Sequence, residues 1–219
     1  MDAFKKLFGV EKADIQPDCI LTPLDETSLF PGERARGDYF SVTQLPGASV
    51  LGTRYSLLAG DCVLHLKDTP CRRLILFNCC GGIGLPIGAS LLVRKAYDFE
   101  GFSAMLEGRS GAVSCEGDAG LAQRFAGLRE GVCATVGSLA LEEAHLSRFR
   151  ELGVDCLDME CSAVFSAARA AGIRAAALFY VSNRVPDKPW HEQLDAPEIA
   201  ALGQARKGLA AKLLEALAR

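Results

Sequence analysis

The chain has 219 residues, 49% hydrophobic and 23% charged, with 24 Lys and Arg against 27 Asp and Glu and a net charge of −3. This mix excludes a mainly disordered chain, and it offers no broad basic surface for a phosphate backbone, so nucleic acid is not expected as a partner. No apolar run approaches the roughly 18–20 residues of a membrane span, and the start, MDAFKKLFGV, lacks the apolar stretch of a secretory signal. The reading is therefore one domain over residues 1–219, cytoplasmic and with no membrane partner.

The nine cysteines are odd in number, form no C-x-x-C pair and share no zinc spacing with the histidines, which predicts reduced thiols and no metal site. Along the chain, Phe4, Leu7 and Phe8 suit a packed N-terminal arm. Cys19–Thr22 reads as a strand stopped by Pro23, and Phe40–Gln44 as another. Over Tyr55–Leu66 the apolar Leu57, Leu58, Cys62 and Leu66 share a helical face. Leu74–Cys80 is a continuous apolar run, a buried strand expected to enter a tight turn at Gly81-Gly82. Strands follow at Ala89–Val93 and Gly131–Val136, a helix at Glu142–Glu151 and a short strand at Val154–Leu157. Cys161–Ala171 is an alanine-rich helix closed by Gly172. Ile173–Val181 is the most hydrophobic strand, Pro186 and Pro189 hold a loop, and Ile199–Ala218 is a final amphipathic helix. This alternation predicts an α/β fold with a mixed central sheet flanked by helices.

In open α/β sheets ligands gather at the carboxyl ends of strands. Three such ends carry polar or glycine residues: Cys79-Cys80-Gly81-Gly82, Asp158-Met159-Glu160 and Ser182-Asn183-Arg184. The glycines run G-x-G-x-x-x-G from Gly82 and miss the dinucleotide fingerprint. Neither a Walker A sequence nor a G-x-S-x-G elbow is present. His65, His145 and His191 are too dispersed for a metal signature, and His191 alone sits in a loop suited to a lid contact. Asp158 suits a helix N-terminus, where free amides stabilise a carboxylate. Glu160 lies where a buried strand meets an apolar helix, so its carboxylate needs partners, and paired sugar hydroxyls would supply them.

The stretch GVDCLDMECSAVFSAARAAGIRAAALFYVSN resembles the signature of the nucleoside phosphorylase / nucleosidase superfamily, and CRRLILFNCCGGIGLPIGASLLVRKAYDFEGFS resembles its central strand, glycine turn and following strand. The resemblance implies a three-layer nucleoside-phosphorylase-like fold. It implies that Glu160 accepts hydrogen bonds from the ribose 2′- and 3′-hydroxyls, that Met159 packs on the sugar, and that Cys79, Cys80 and Gly81 line the pocket, with Asp158 beside them. It places Asn183 and Arg184 at the reacting end, and it implies a homo-oligomer.

Three positions depart from the family pattern. Asn183 stands where purine-cleaving members carry an Asp, and an amide donates a hydrogen bond but is no general acid; Asn-Arg is instead similar to the uridine-phosphorylase pattern. Leu76 and Thr22-Pro23-Leu24-Asp25 stand where phosphorylases keep their phosphate residues, leaving Arg54, Arg72, Arg73 and Arg184 as other cations, with Arg72-Arg73 better suited to capping the strand start. No histidine precedes His65 to reach a neighbour's site, and Asp98 and Glu100 are unassigned carboxylates. The resulting expectation is cleavage of the N-glycosidic bond of a nucleoside or nucleoside derivative through an oxocarbenium-like state. Phosphorolysis is placed first, without a cofactor and with phosphate open as co-substrate. Hydrolysis and a catalytically inactive nucleoside-binding protein are the alternatives.

Overall fold

The structure, a computed structural model, describes residues 2–24, 26, 29–53, 55–100 and 113–218. Its frame is four parallel strands in the order β4-β1-β5-β10: β1 (Asp18–Thr22), β4 (Ala48–Thr53), β5 (Arg73–Ile83) and β10 (Arg174–Val185). Beyond β4, β3 (Phe40–Leu45) and β2 (Glu33–Arg36) continue the sheet as an antiparallel meander. On the other side β6 (Ser90–Phe99), β8 (Arg129–Val136) and β9 (Cys156–Asp158) run parallel to one another. β6 pairs antiparallel with β10 and β9 antiparallel with β5, so β5, β10, β6, β8 and β9 close into a ring. A short strand, β7 (Ser114–Glu116), pairs with β6.

β5 is buried on both faces, as a central parallel strand should be. Leu74, Leu76 and Cys80 enter one core with α2 (Ala59–His65) and α5 (Cys161–Ala171). Ile75 and Phe77 enter a second core beneath α3 (Ala119–Ala122) and α6 (Ala196–Leu217). A third cluster joins the outer side of β8 and β9 to α4 (Leu146–Glu151). Helices thus cover both faces of a mixed sheet, giving three layers.

The expected glycine turn is displaced. β5 does not stop at Cys80 but runs through Gly81 and Gly82 to Ile83, and the left-handed turn residues are Gly84 and Gly88, at φ 67° and 83°. Gly81 and Gly82 serve close strand packing instead: a Cβ on Gly82 would lie 2.8 Å from Val181 Cγ1 on β10, and one on Gly81 would lie 3.1 Å from Asn183 Nδ2. The N-terminal arm is a helix, α1 (Ala3–Phe8), started by Asp2 and ended by Gly9, with Phe4 and Phe8 stacked 4.3 Å apart in the core. The expected helices at Tyr55–Leu66 and Glu142–Glu151 each begin with a 3₁₀ turn, Ser56–Leu58 and Glu143–His145. α5 and its Gly172 cap, at φ 71°, keep the expected bounds. β2, β4 and β7 were not anticipated; β3 and β4 form a hairpin about Pro46-Gly47, with Gly47 at φ 83°. Among the described residues no helix is long and apolar enough to cross a membrane.

Candidate functional site

β9 delivers Asp158 and Glu160 to the start of α5, and the two carboxylates face opposite tasks. Asp158 is buried, and protein donors occupy both its oxygens. Its Oδ2 accepts from the amides of Glu160 and Cys161, at 3.0 and 2.7 Å; its Oδ1 accepts from the Thr135 hydroxyl at 2.8 Å and the Cys133 thiol at 3.3 Å. Thr135 in turn accepts from the Ser162 amide at 2.9 Å. Asp158 thereby caps the orphan amides of α5 from outside the helix. Burial pushes its carboxyl above the ordinary range, against the pull of these donors.

Glu160 occupies the residue just before α5 but does not cap it. Its side chain crosses to β5, where Asn78 Nδ2 donates to Oε2 at 2.7 Å. Ser56, after β4, and the Met159 amide lie near enough to favour the charged form of this carboxylate. Glu160 is 4% exposed. Burial, and next the charge of Asp158, push it up to about 8, while its donors favour the charged form. Met159 beside it is half-buried. Asn78 was missed in the sequence, although a lone amide inside LILFNCC had a signal: a polar side chain in a buried strand requires a partner.

The end of β10 is irregular. Its register against β5 shifts between Val181 and Asn183, a bulge that re-aims the following side chains. The Ser182 hydroxyl lies 3.3 Å from the Cys80 carbonyl and 3.2 Å from Asn183 Oδ1. With its oxygen so placed, the half-buried Asn183 presents its amino group beside Gly81. Arg184 aligns with Gly82, and its backbone closes a small turn with Lys188. Its buried Nε has no hydrogen-bond partner among the described residues.

The two cysteines divide. Cys79 is half-buried at the rim, and burial pushes its thiol up. Cys80 is buried in the core, with its Sγ 3.7 Å from the Tyr180 carbonyl. On the Cys79 face lies a network absent from the sequence reading. Glu26, 3% exposed, accepts from the Tyr180 hydroxyl and pairs with Arg206 of α6.

Most of the other sequence candidates lie away from this rim, while Asp98 and Glu100 stand near Asp158 across β8. Arg72 donates to the carbonyls of Thr69 and Cys71, both at 2.8 Å, and Arg73 pairs with Asp18; both sit at the opposite end of β5. Leu76 is fully buried in apolar surroundings. Arg54 and Asp25 lie outside the described residues. His65 packs near Phe8 and Phe40, and His145 near Phe99 and Phe149. His191 meets the exposed Trp190 edge-on. Glu100 donates its amide to Asp98 at 2.8 Å and is pushed up to about 7 by burial, then by Asp158 and Asp98. Across β1–β4, Arg34 and Arg36 line a cleft of about 370 Å³ with Thr22, Ser41, Thr43 and Thr53. Among the described residues no group of His, Cys, Asp or Glu has the arrangement of a metal site.

This rim combines a buried, donor-held carboxylate with an amide donor and a cation on one strand end, over a three-layer mixed sheet. Residues 58–219 match the family model described as Phosphorylase superfamily, and the chain belongs to that family. Its fold is similar to uridine phosphorylase from Vibrio fischeri solved with 6-hydroxy-1-naphthoic acid, at a TM-score of 0.77 and 16% identity over 95% of this chain and 94% of that one. It is also similar to the 5′-methylthioadenosine/S-adenosyl homocysteine nucleosidase of Campylobacter jejuni, at 0.71 and 16% over 92% and 98%. AMP nucleosidase from Bacteroides thetaiotaomicron aligns at 0.71 and 19% over 94% of each chain. The sequence has no significant match among curated proteins.

Proposed function

We propose that this protein cleaves the N-glycosidic bond of a nucleoside or nucleoside derivative. The observation that carries this reading is Glu160: a carboxylate 4% exposed, aimed away from the helix it heads and held by Asn78. A buried charge with no cationic partner among the described residues is costly, and sugar hydroxyls are donors that would complete it. As the C–N bond breaks, its electron pair leaves with the base and positive charge develops on the ring. Hydrogen bonds from the sugar to Glu160 then strengthen. In this reading Met159 packs on the sugar, Cys79 and Gly81 line the pocket, and Asp158 positions Glu160 through the start of α5. Asn183 donates to the departing base without protonating it.

Phosphate is the proposed nucleophile, giving sugar 1-phosphate and free base. The Nε of Arg184, without a partner among the described residues, favours an anion at this end. Hydrolysis is the second reading, favoured by Leu76, which puts a buried apolar group where the family pattern carries a phosphate-binding arginine. A homo-oligomer in the cytoplasm is proposed with either. Purified protein incubated with purine, pyrimidine and 5′-modified nucleosides, with and without phosphate, decides by chromatography of the released base. Phosphate-dependent release is the expected result, and Glu160→Ala should lower it about 10²–10³-fold, equivalent to several kcal/mol of transition-state stabilisation. Release without phosphate makes the protein a nucleosidase. Saturable binding with no release from any substrate would overturn cleavage in favour of a binding-only protein.

A further inference from the structure

We infer that the cleft at the carboxyl ends of β1 and β4 receives a phosphate group carried on C5′ of the sugar, so that the substrate class is a nucleoside 5′-monophosphate. The inference rests on the reading of Glu160 as the sugar-binding carboxylate. The cleft, about 370 Å³, is bounded by the ends of β1 and β4 and by β2 and β3. Thr22, the last residue of β1, pairs with Gly52 of β4, and Leu21 before it pairs with Leu76 of β5. The end of β1 therefore lies beside Phe77 and Asn78, one strand spacing of about 4.8 Å away, and Asn78 is the residue that holds Glu160. β1 stops at Thr22 and β4 at Thr53, whereas β5 runs on to Ile83, so beyond the two shorter strands the faces of the sheet meet in a crevice against β5. The parts of a nucleotide then map in order along β5: base at Gly81 beside Asn183, sugar at Asn78 with Glu160, phosphate at the end of β1. Arg184, where the nucleophile is proposed, aligns with Gly82, about 16 Å along the strand from Phe77. The cleft is thus a second place for an anion.

The lining suits an oxyanion. Arg36 is exposed and makes no ion pair or side-chain hydrogen bond among the described residues. Arg34 Nη2 donates to Ser41 Oγ at 3.0 Å, which leaves the Ser41 proton to be donated elsewhere. Thr53 Oγ1 is buried with no hydrogen-bond partner among the described residues. A Cβ on Gly52 would lie 2.6 Å from Ser41 Oγ, so glycine at this position keeps the hydroxyl where it is. Among the described lining residues the carboxylate is Glu26, and its charge is already met by the Tyr180 hydroxyl and Arg206. Guanidinium and hydroxyl donors are the groups from which phosphate oxygens accept. The point of attachment follows from the sugar itself. Its 2′- and 3′-hydroxyls go to Glu160 and C1′ carries the base, which leaves C5′ to bear the phosphate.

The test is equilibrium binding of adenosine, uridine, their 5′-monophosphates, adenosine 3′-monophosphate and inorganic phosphate to the whole chain, at low and high salt. At low salt the 5′-monophosphates should bind about ten- to a hundredfold more tightly than the nucleosides, the range of a hydrogen bond to a charged group. The gap should narrow as salt rises, because Arg36 is exposed. The 3′-monophosphate should gain nothing, because its phosphate replaces a hydroxyl that Glu160 reads. Arg36→Gln changes a surface side chain and should remove most of the gap. Thr53→Val keeps the side-chain shape, removes a neutral donor and should narrow the gap less. Equal affinity for nucleoside and 5′-monophosphate would overturn the inference, and so would a gap that Arg36→Gln leaves intact. Inorganic phosphate that binds the wild type but not Arg36→Gln, with no preference for the nucleotides, would assign the cleft to free phosphate and overturn it as well. In each of these cases a loss of nucleoside affinity in Glu160→Gln leaves the sugar-binding reading intact. Indifference of every ligand to Glu160→Gln, or no binding of any nucleoside or nucleotide, would overturn that underlying reading instead.

Discussion

Asp158 and Glu160 are two residues apart and equally buried, yet only one has its oxygens filled by the fold itself. The difference is thermodynamic as well as geometric. Glu160 is pushed up to about 8, well above an unfolded glutamate, so the folded state holds its proton more tightly. Its ionisation therefore costs stability, with a penalty that is absent below the unfolded pKa, grows as pH rises towards 8 and levels off beyond. Glu160→Gln removes the penalty. In urea unfolding at pH 5, 7 and 9 the variant should gain on the wild type as pH rises, by roughly 2–4 kcal/mol at pH 9; a gap that stays constant with pH would refute this. The sequence made the Asp-Met-Glu triplet legible because acidic residues between a buried run and an apolar helix stand out. It did not show that Asn78, on the same face of β5 as Cys80, meets the carboxylate. That contact depends on the β5–β9 pairing of Gly81 with Leu157, which no local pattern encodes.

Among the elements, α6 has the least obvious task. It opens with a capping box between Asp195 and Glu198, closes the second core with Leu209 and Leu213, and sends Arg206 to Glu26 in the segment after β1. Glu26 is the buried partner and Arg206 the partly exposed one. Arg206→Ala strands a carboxylate in the interior, whereas Glu26→Gln releases a guanidinium that can still meet water. Chemical denaturation should show Arg206→Ala destabilising by about 3 kcal/mol and Glu26→Gln by clearly less. Equal effects would indicate that the pair is no more than a surface contact. The elements found from the sequence were those with long periodic or apolar patterns, such as α5, β5 and β10. β2 and β4 escaped because each is short and defined by partners: β4 pairs with β3 across Pro46-Gly47 and with β1, some thirty residues earlier. Gly81-Gly82 looked like punctuation because glycine pairs usually are. Here the missing side chains let β10 lie close against β5.

Across the whole molecule, all nine cysteines are free thiols, and Cys79 is the one that is not buried. Placement in apolar runs made this distribution legible without any structure. Native protein treated with a small alkylating reagent should take up label at Cys79 alone, slowly, because burial raises its thiol. All nine should label after unfolding, as read by intact mass. A saturating nucleoside should protect Cys79 if it lines the pocket, and rapid labelling of several thiols would show that the native core opens readily.

The ring of strands has a consequence in time as well as space. β5 and β10 pair along their full lengths although about a hundred residues separate them, and β9 reaches β5 across some seventy. Such distant pairings must meet the cost of closing long loops before any contact rewards them. As the chain emerges in order, β1, β4 and β5 can associate early, while Gly81 waits for Asn183 and Asn78 waits for Glu160. The rim that holds the nucleoside site is thus completed last, by the strand that closes the ring, and no fragment ending before β10 can contain it.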